Sequence, residues 1–247
     1  MELISYALAG IGIGLFFFVK GFYWLHQKML IENTPTSKIR SIAMGLVELY
    51  GKVVAKKEVL TSPLAQKPCV HYYYTIEEYR RQGKHNRWVV VFKETSNCLF
   101  LLKDNTGQVL VNLKDAIIEI PSDFEYSSSF GRDPPLNIRN FLKQKRFSHE
   151  GFFGINKSLR FREYLIQPGD QLYVFGTAAD NPYVKEATSQ KNDADIMIQK
   201  GKNLYYVSDR PEKDILKSLS WKAYGGLFGG AALTLVCLVI VFVAFGI

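Results

Sequence analysis

An uncharged apolar run at residues 224–247 constrains this chain more than any other feature of its sequence. A helix that crosses the hydrocarbon core of a bilayer, roughly 30 Å thick, needs about 20 apolar residues. The run is long enough to cross with some tilt. We therefore predict a transmembrane helix over residues 224–247 and expect any function to lie in the residues before it.

A second apolar run covers residues 3–19 and extends towards Trp24. Its position is that of a signal peptide, but it begins with the acidic Glu2 and no small-x-small cleavage pattern follows it. Lys20 and three aromatic residues follow instead, as they do at the interfacial end of an uncleaved anchor. We predict a first transmembrane helix over residues 1–25 that continues as helix to about residue 33. Both ends would then tether the middle of the chain to one membrane.

The middle of the chain is basic. The sequence has 31 Lys and Arg against 23 Asp and Glu, a formal net charge of +8, and every Lys and Arg lies between the two apolar runs. Basic segments beside a membrane span stay in the cytoplasm and attract anionic lipid. We expect a two-span integral membrane protein of a bacterial or archaeal inner membrane, with its central domain in the cytoplasm and membrane lipids as partners. Because no zinc-finger, RNP or KH pattern occurs, nucleic acid is not an expected partner.

Three cysteines are present, and none belongs to a CxxC pair. This spacing does not suit a disulfide framework and is typical of a reducing compartment. We expect Cys69 and Cys98 to be buried free thiols, and we expect no cofactor and no metal. The alternative is a metal site that includes Cys69 and His71, which would share a face of one strand.

Between the two spans, residues 34–209 have the pattern of β-strands, with short alternating runs separated by turns such as Asp104–Gly107. We predict a last hairpin between residues 196–198 and 204–207, and then a connecting helix over residues 210–223. The predicted fold class is a mainly β membrane protein, in which a β-rich, barrel-like domain lies between two flanking transmembrane helices.

Residues 121–158 interrupt this strand pattern. The segment contains serine and proline clusters, a basic run and several phenylalanines, and we interpret it as an irregular excursion that packs its aromatic residues. Its basic and aromatic side chains are the predicted surface for lipid or a protein partner: Lys143, Lys145, Arg146, Phe152 and Phe153.

No arrangement of catalytic residues is recognisable in the sequence. The four histidines have no HExxH context, and neither GxSxG nor a Walker A loop occurs. Glu77 and Glu78 would point to opposite faces of a strand and be solvated, and residues 160–163 would provide one solvated face. We therefore predict no catalytic residue. A small-residue pattern at the start of the second span is predicted to pack helices: Gly225, Gly226, Gly229 and Gly230.

A series of short segments follows one order along the chain. The segments are residues 35–41, 45–51, 60–64, 68–70, 104–107, 159–163, 168–176 and 198–209. In this order, and with a span on either side, they resemble the GIDE family, also called the Mulan or MAPL family, whose central part is known as the beside-a-membrane domain. The resemblance covers nearly the whole chain and implies two spans with a β-rich domain between them.

In ubiquitin ligases of that family, a RING finger after the second span recruits the charged conjugating enzyme. A RING finger needs eight Cys or His zinc ligands, and the sequence has three Cys and four His. We therefore expect a non-catalytic binding or scaffold module that self-associates and contacts a protein partner or a lipid surface. The alternatives are a ligase that acts through a partner's RING finger and a structural membrane oligomer.

Overall fold

The computed structural model describes residues 2–56, 59–128, 134–147, 158–183 and 195–245. The chain divides into two compact units, of which one combines the two ends, up to Thr36 and from Arg210 onward, and the other is Ser37–Asp209. The helices are α1 (Glu2–Glu32), α2 (Leu136–Gln144), α3 (Glu212–Tyr224) and α4 (Gly230–Phe245). The strands are β1 (Gly45–Ala55), β2 (Leu60–Thr61), β3 (Pro68–Cys69), β4 (His71–Gln82), β5 (His85–Thr95), β6 (Leu99–Lys103), β7 (Gln108–Asn112), β8 (Ile117–Glu119), β9 (Phe124–Ser128), β10 (Leu159–Ile166), β11 (Gln171–Asp180), β12 (Ile196–Gln199) and β13 (Tyr206–Ser208).

The helical unit contains two long apolar helices. The first is α1, in which an 18-residue stretch has a mean hydropathy of 1.9, and the second runs over Glu212–Phe245, in which an 18-residue stretch has a mean hydropathy of 2.7. The second combines α3 and α4 through a π-helical turn at Gly225–Gly229. By length and composition, each helix could cross a bilayer.

Glycines allow the backbones of these helices to approach closely. A methyl group added at Gly226 would lie 2.9 Å from the Phe17 carbonyl oxygen, and one at Gly230 would lie 2.6 Å from the Gly14 carbonyl oxygen. At Gly225 and Gly229, an added methyl group would meet nothing within 4 Å. Of the four predicted packing glycines, Gly226 and Gly230 therefore face α1, and the other two do not.

The β-rich unit contains a closed barrel of five strands. In order around the barrel, β1, β6, β7, β12 and β11 are neighbours, and β11 pairs back to β1. The 11-residue β1 completes the ring because Gly45–Lys52 pair with β11 and Lys52–Ala55 pair with β6. The interior is apolar and fully buried at Leu49, Phe100, Val174, Ile198 and Val207. A barrel-like, β-rich domain between two apolar helices is thereby confirmed.

The short strands β13 and β8 extend the barrel wall in line with β12 and β7. β12 pairs with Thr177–Asp180 and β13 pairs with Tyr173–Phe175 on the same strand, β11. The predicted hairpin between residues 196–198 and 204–207 is therefore wrong, because both segments pair with β11 instead of with each other. β7 runs parallel beside β12, and β8 runs parallel beside β13.

A second sheet has the strand order β5-β4-β10-β9. Helix α2 packs on one face of it and buries Ile138, Phe141 and Leu142 together with Tyr74 and Phe161. The expectation that residues 121–158 are irregular is therefore wrong for its described part, which contains β9 and α2. The aromatic and aliphatic residues at helical spacing form a buried face of α2, and β9 is held by pairing with β10.

The glycine contacts predict a difference between neighbouring substitutions. Gly226→Ala and Gly230→Ala should each lower the free energy of unfolding by about 1–3 kcal/mol, because a methyl group would overlap backbone atoms of α1. Gly225→Ala and Gly229→Ala are the matched controls and should change it by no more than about 0.5 kcal/mol. Unfolding of the full chain in mild detergent measures all four. Equal effects within each neighbouring pair would contradict this packing.

Candidate functional site

A cleft of about 700 Å³ lies where the chain passes from the second sheet to the barrel. We call it the barrel-edge cleft. Its lining is mixed, with apolar and aromatic side chains beside hydroxyls and amides. The lining residues are His71, Tyr73, Thr95, Ser96, Asn97, Cys98, Asn112, Leu113, Lys114, Asp115, Ala116, Ile118, Ile120 and Tyr164. The volume falls within the range that ligand sites usually have.

The barrel-edge cleft opens because the strand beside β7 does not continue beside β8. β6 starts at Leu99, opposite Asn112 at the end of β7. The residues before Leu99 stay on the second sheet, where Thr95 pairs with Tyr73 and the Ser96 N–H donates to the Tyr72 carbonyl at 2.9 Å. The residues that follow Asn112 therefore have no β6 neighbour, and the gap beside them is the cleft.

The imidazole of His71 is held neutral at the wall of this cleft. The Ser96 hydroxyl accepts a hydrogen bond from the Tyr72 N–H at 2.9 Å and lies 3.1 Å from His71 Nδ1, to which it can donate. In the tautomer that accepts this hydrogen bond, the ring proton lies on Nε2, which is 3.4 Å from the Thr95 hydroxyl. Burial lowers the pKa of His71 to about 4, so the ring is uncharged at neutral pH and a weak base.

The thiol of Cys69 is also held in its unreactive form. Its side chain is fully buried, and burial, followed by the nearby charge of Glu163, raises its pKa to about 11. A thiol with so high a pKa carries almost no thiolate at neutral pH. Within the described ranges, no group of three Cys, His, Asp or Glu side chains is placed to hold a metal ion.

A second cleft, of about 580 Å³, lies beside α2 and is here called the α2 cleft. Its lining is rich in carboxamides and comprises Thr61, Ser62, Pro63, Gln66, Tyr72, Glu94, Asn137, Asn140, Phe141, Gln144 and Lys145. The Glu94 carboxylate accepts hydrogen bonds from the Lys145 ammonium and the Tyr74 hydroxyl, and both lower its pKa. Burial, with this hydrogen bond, raises the pKa of Tyr74. These charges pair with each other, so the cleft has no excess of either sign at this point.

The predicted lipid or partner surface is described only in part. Lys143, Lys145 and Arg146 lie at the exposed C-terminal end of α2, and Lys145 forms the ion pair with Glu94. Arg146 ends the helix in the left-handed conformation (φ 53°), which is usually taken by glycine, and the Phe147 N–H donates to the Leu142 carbonyl at 2.9 Å. Phe152 and Phe153 lie outside the described residues.

Two carboxylates on the second sheet are buried. Glu163 is 0 % exposed, and its carboxylate accepts the N–H groups of Leu64 and Ala65 at 2.9 and 2.8 Å. Glu77 is 8 % exposed and forms an ion pair with Arg160, whose guanidinium stacks over Trp88. The expectation of a solvated side chain was wrong at Glu77. Only the non-local neighbours of Glu77 reveal its burial, because a charged residue on a strand is usually at the surface.

Comparison with known proteins identifies a family. The family model GIDE, described as E3 Ubiquitin ligase, matches residues 71–242. A search of curated proteins and a search of solved structures each find no significant match. The matched residues include the strands β4 to β13, which border both clefts, and most of the second long helix.

The burial of His71 predicts a pH-dependent stability. Its pKa is about 4 in the folded chain against an ordinary 6.5, so the unfolded chain takes up a proton first as the pH falls. The stabilisation is complete above pH 6.5 and is lost as the pH falls towards 4, with a total loss of about 3 kcal/mol. His71→Gln retains hydrogen-bonding atoms but cannot titrate. Unfolding of both full-length proteins in detergent across this pH range should give curves that diverge by this amount, and parallel curves would contradict the assignment.

Proposed function

The chain belongs to the GIDE family, and on that premise we propose that it is a membrane-anchored, non-catalytic binding module. It would self-associate and bind a protein partner or a lipid surface through its β-rich unit. The protein mass of the particle in mild detergent, after the mass of bound detergent is subtracted, is to be compared with 28.2 kDa for one chain; a multiple of this value means self-association, and a single chain mass contradicts it.

The observation that carries this proposal is the unreactive state of the buried titratable groups. At neutral pH, His71 is an uncharged weak base, and Cys69 is a protonated thiol. Burial likewise raises the pKa of the Tyr205 hydroxyl, which donates a hydrogen bond to the Asn112 carbonyl. Catalytic sites usually shift pKa values towards the working pH. Here the pKa values move away from neutrality, as suits groups that hold a structure together or contact a ligand.

Membrane anchoring is part of the proposal because of the two long apolar helices. Basic residues lie next to both, for example Lys20 and Lys28 on α1 and Lys213 and Lys222 on α3. Under the positive-inside rule, this favours a cytoplasmic position for the β-rich unit.

The description of the family as an E3 ubiquitin ligase favours a second candidate function. A RING-type ligase binds a charged conjugating enzyme and activates its thioester, and the RING finger itself is built on eight zinc ligands. The three Cys and four His of these residues do not supply that number. For these residues to act in ubiquitin transfer, a RING finger outside them would have to take part.

The two candidate functions predict opposite results in a discharge assay. The full chain in lipid nanodiscs is mixed with ubiquitin-charged conjugating enzyme, and loss of the thioester is followed with time. We expect the rate without protein and the rate with the chain to be equal, because the chain's own groups are not placed for activation. A ligase with a RING finger, added to a parallel sample, is the positive control. Faster discharge by the chain alone would refute the non-catalytic proposal.

Binding to a lipid surface has its own test at the end of α2. Lys143→Gln with Arg146→Gly removes two charges, and glycine suits the left-handed conformation at position 146. Lys145 is left unchanged because it pairs with Glu94. We expect the full chain in neutral-lipid nanodiscs to bind anionic vesicles about 2 kcal/mol more weakly after this change, about 1 kcal/mol for each charge.

The matched control removes two exposed charges elsewhere on the same unit, with Lys84→Gln and Lys202→Gln. Light scattering measures vesicle binding for both double variants. If the two variants weaken binding equally, or if neither does, the end of α2 is not a lipid-binding surface.

A further inference from the structure

The barrel-edge cleft lies along an open strand edge. β8 pairs with β13 on one side, and the Ile117 N–H donates to the Tyr205 carbonyl at 2.9 Å. Successive backbone groups of a strand point to opposite sides, so the N–H and C=O of Ile118 point away from β13. In the part of the chain that the structure describes, no strand pairs with that side of β8.

The open edge is in line with β6. β7 and β8 run in the same direction along β12 and β13, and β6 covers the outer edge of β7 from Leu99 opposite Asn112 to Lys103 opposite Gln108. Continued past Leu99, β6 would lie beside β8. Thr95 and Ser96 prevent this, because they are hydrogen-bonded to β4 in the second sheet. The barrel-edge cleft therefore lies where a strand in line with β6 would continue beside β8.

We propose that the barrel-edge cleft binds an extended peptide segment of a partner protein, which adds to β8 as an antiparallel strand in line with β6. This names the class of partner for the binding function proposed above and rests on it. The outward N–H and C=O of Ile118 suit an extended backbone, because an added strand pairs with a strand edge through such groups.

The lining indicates the chemistry of the peptide's side chains. On the barrel side, Ala116, Ile118 and Ile120 are half-buried and offer apolar contact. On the opposite side, the Tyr73 and Tyr164 rings pack with their centroids 5.5 Å apart, next to the neutral His71. Lys114 and Asp115 are adjacent and opposite in charge, so the cleft favours neither sign. A peptide with uncharged, apolar or aromatic residues at alternate positions fits these walls.

The experiment begins with a probe that does not presuppose a partner. Random peptides of about ten residues, the upper length of common strands, are displayed on phage and selected on the full chain in detergent. Binding of the selected peptides is then compared between the wild type and two variants. Ile118→Pro removes the outward N–H and leaves the inward bond of Ile117 in place, and proline is tolerated at such an edge. Ile118→Val is the matched control, since it retains the N–H.

We expect selected peptides to bind Ile118→Pro about tenfold or more weakly, which corresponds to the loss of about one hydrogen bond, and to bind Ile118→Val as they bind the wild type. Peptides that bind Ile118→Pro as well as the wild type would overturn the proposal. So would a library that yields no peptide with a dissociation constant below about 1 mM.

A second measurement uses the unaltered protein, so that it stands even if Ile118→Pro does not fold. A selected peptide is N-methylated at alternate residues in one of two registers. In an added strand, the N–H groups of one register face β8 and those of the other face solvent. One methylated peptide should therefore bind about tenfold or more weakly than the other, and equal binding of the two would contradict strand addition.

The two proposals can fail separately. If the chain discharges a charged conjugating enzyme and yet binds peptides in this register-dependent way, the non-catalytic function fails and the peptide site stands. If a partner from native membranes binds Ile118→Pro unchanged, the binding function stands and the peptide site fails.

Discussion

The hydrogen bonds that hold Thr95 and Ser96 to β4 determine the layout of the β-rich unit. Because these residues stay on the second sheet, the chain crosses to the barrel only at Asn97 and Cys98, and β6 begins opposite the end of β7. The same crossing gives α2 a separate sheet to pack on and leaves β8 paired on one side only. The second sheet, the α2 cleft and the barrel-edge cleft all follow from this one divergence of neighbouring strands.

Buried polar groups stabilise this layout. Glu163 holds the loop at Leu64 and Ala65 against β10, and Glu48 accepts the Tyr173 hydroxyl inside the barrel wall. The Asp104 carboxylate accepts a hydrogen bond from the Ile39 N–H, near the start of the β-rich unit. Burial alone would raise the pKa of this carboxyl. Hydrogen bonds from Thr106 and the Ile39 N–H instead lower that pKa to about 2. Unsatisfied buried acceptors are costly, so each of these carboxylates fixes the position of a neighbouring segment.

Local patterns in the sequence predicted where helices and strands lie better than they predicted which strands pair with each other. The two apolar runs predicted both long helices, and the alternating runs with their turns predicted a barrel-like domain. Pairing between segments distant in the chain was not predictable in this way, since β12 and β13 look like a hairpin until β11 is seen beside both. Burial of Glu77 and Glu163 depends on such non-local contacts as well, whereas the helix in residues 136–144 has a local signal in the helical spacing of its buried residues. No sequence motif marks the barrel-edge cleft, because the cleft arises where the chain leaves the second sheet and enters the barrel.

Hydrogen exchange at Ile117 and Ile118 tests most directly whether the edge of β8 is open. In the purified full chain, the Ile117 amide is bonded to Tyr205, and the Ile118 amide faces the barrel-edge cleft. Site-resolved exchange should show strong protection at Ile117 and little at Ile118, with protection at Ile118 appearing only when a peptide is bound. Strong protection at Ile118 in the purified chain without a peptide would contradict this account.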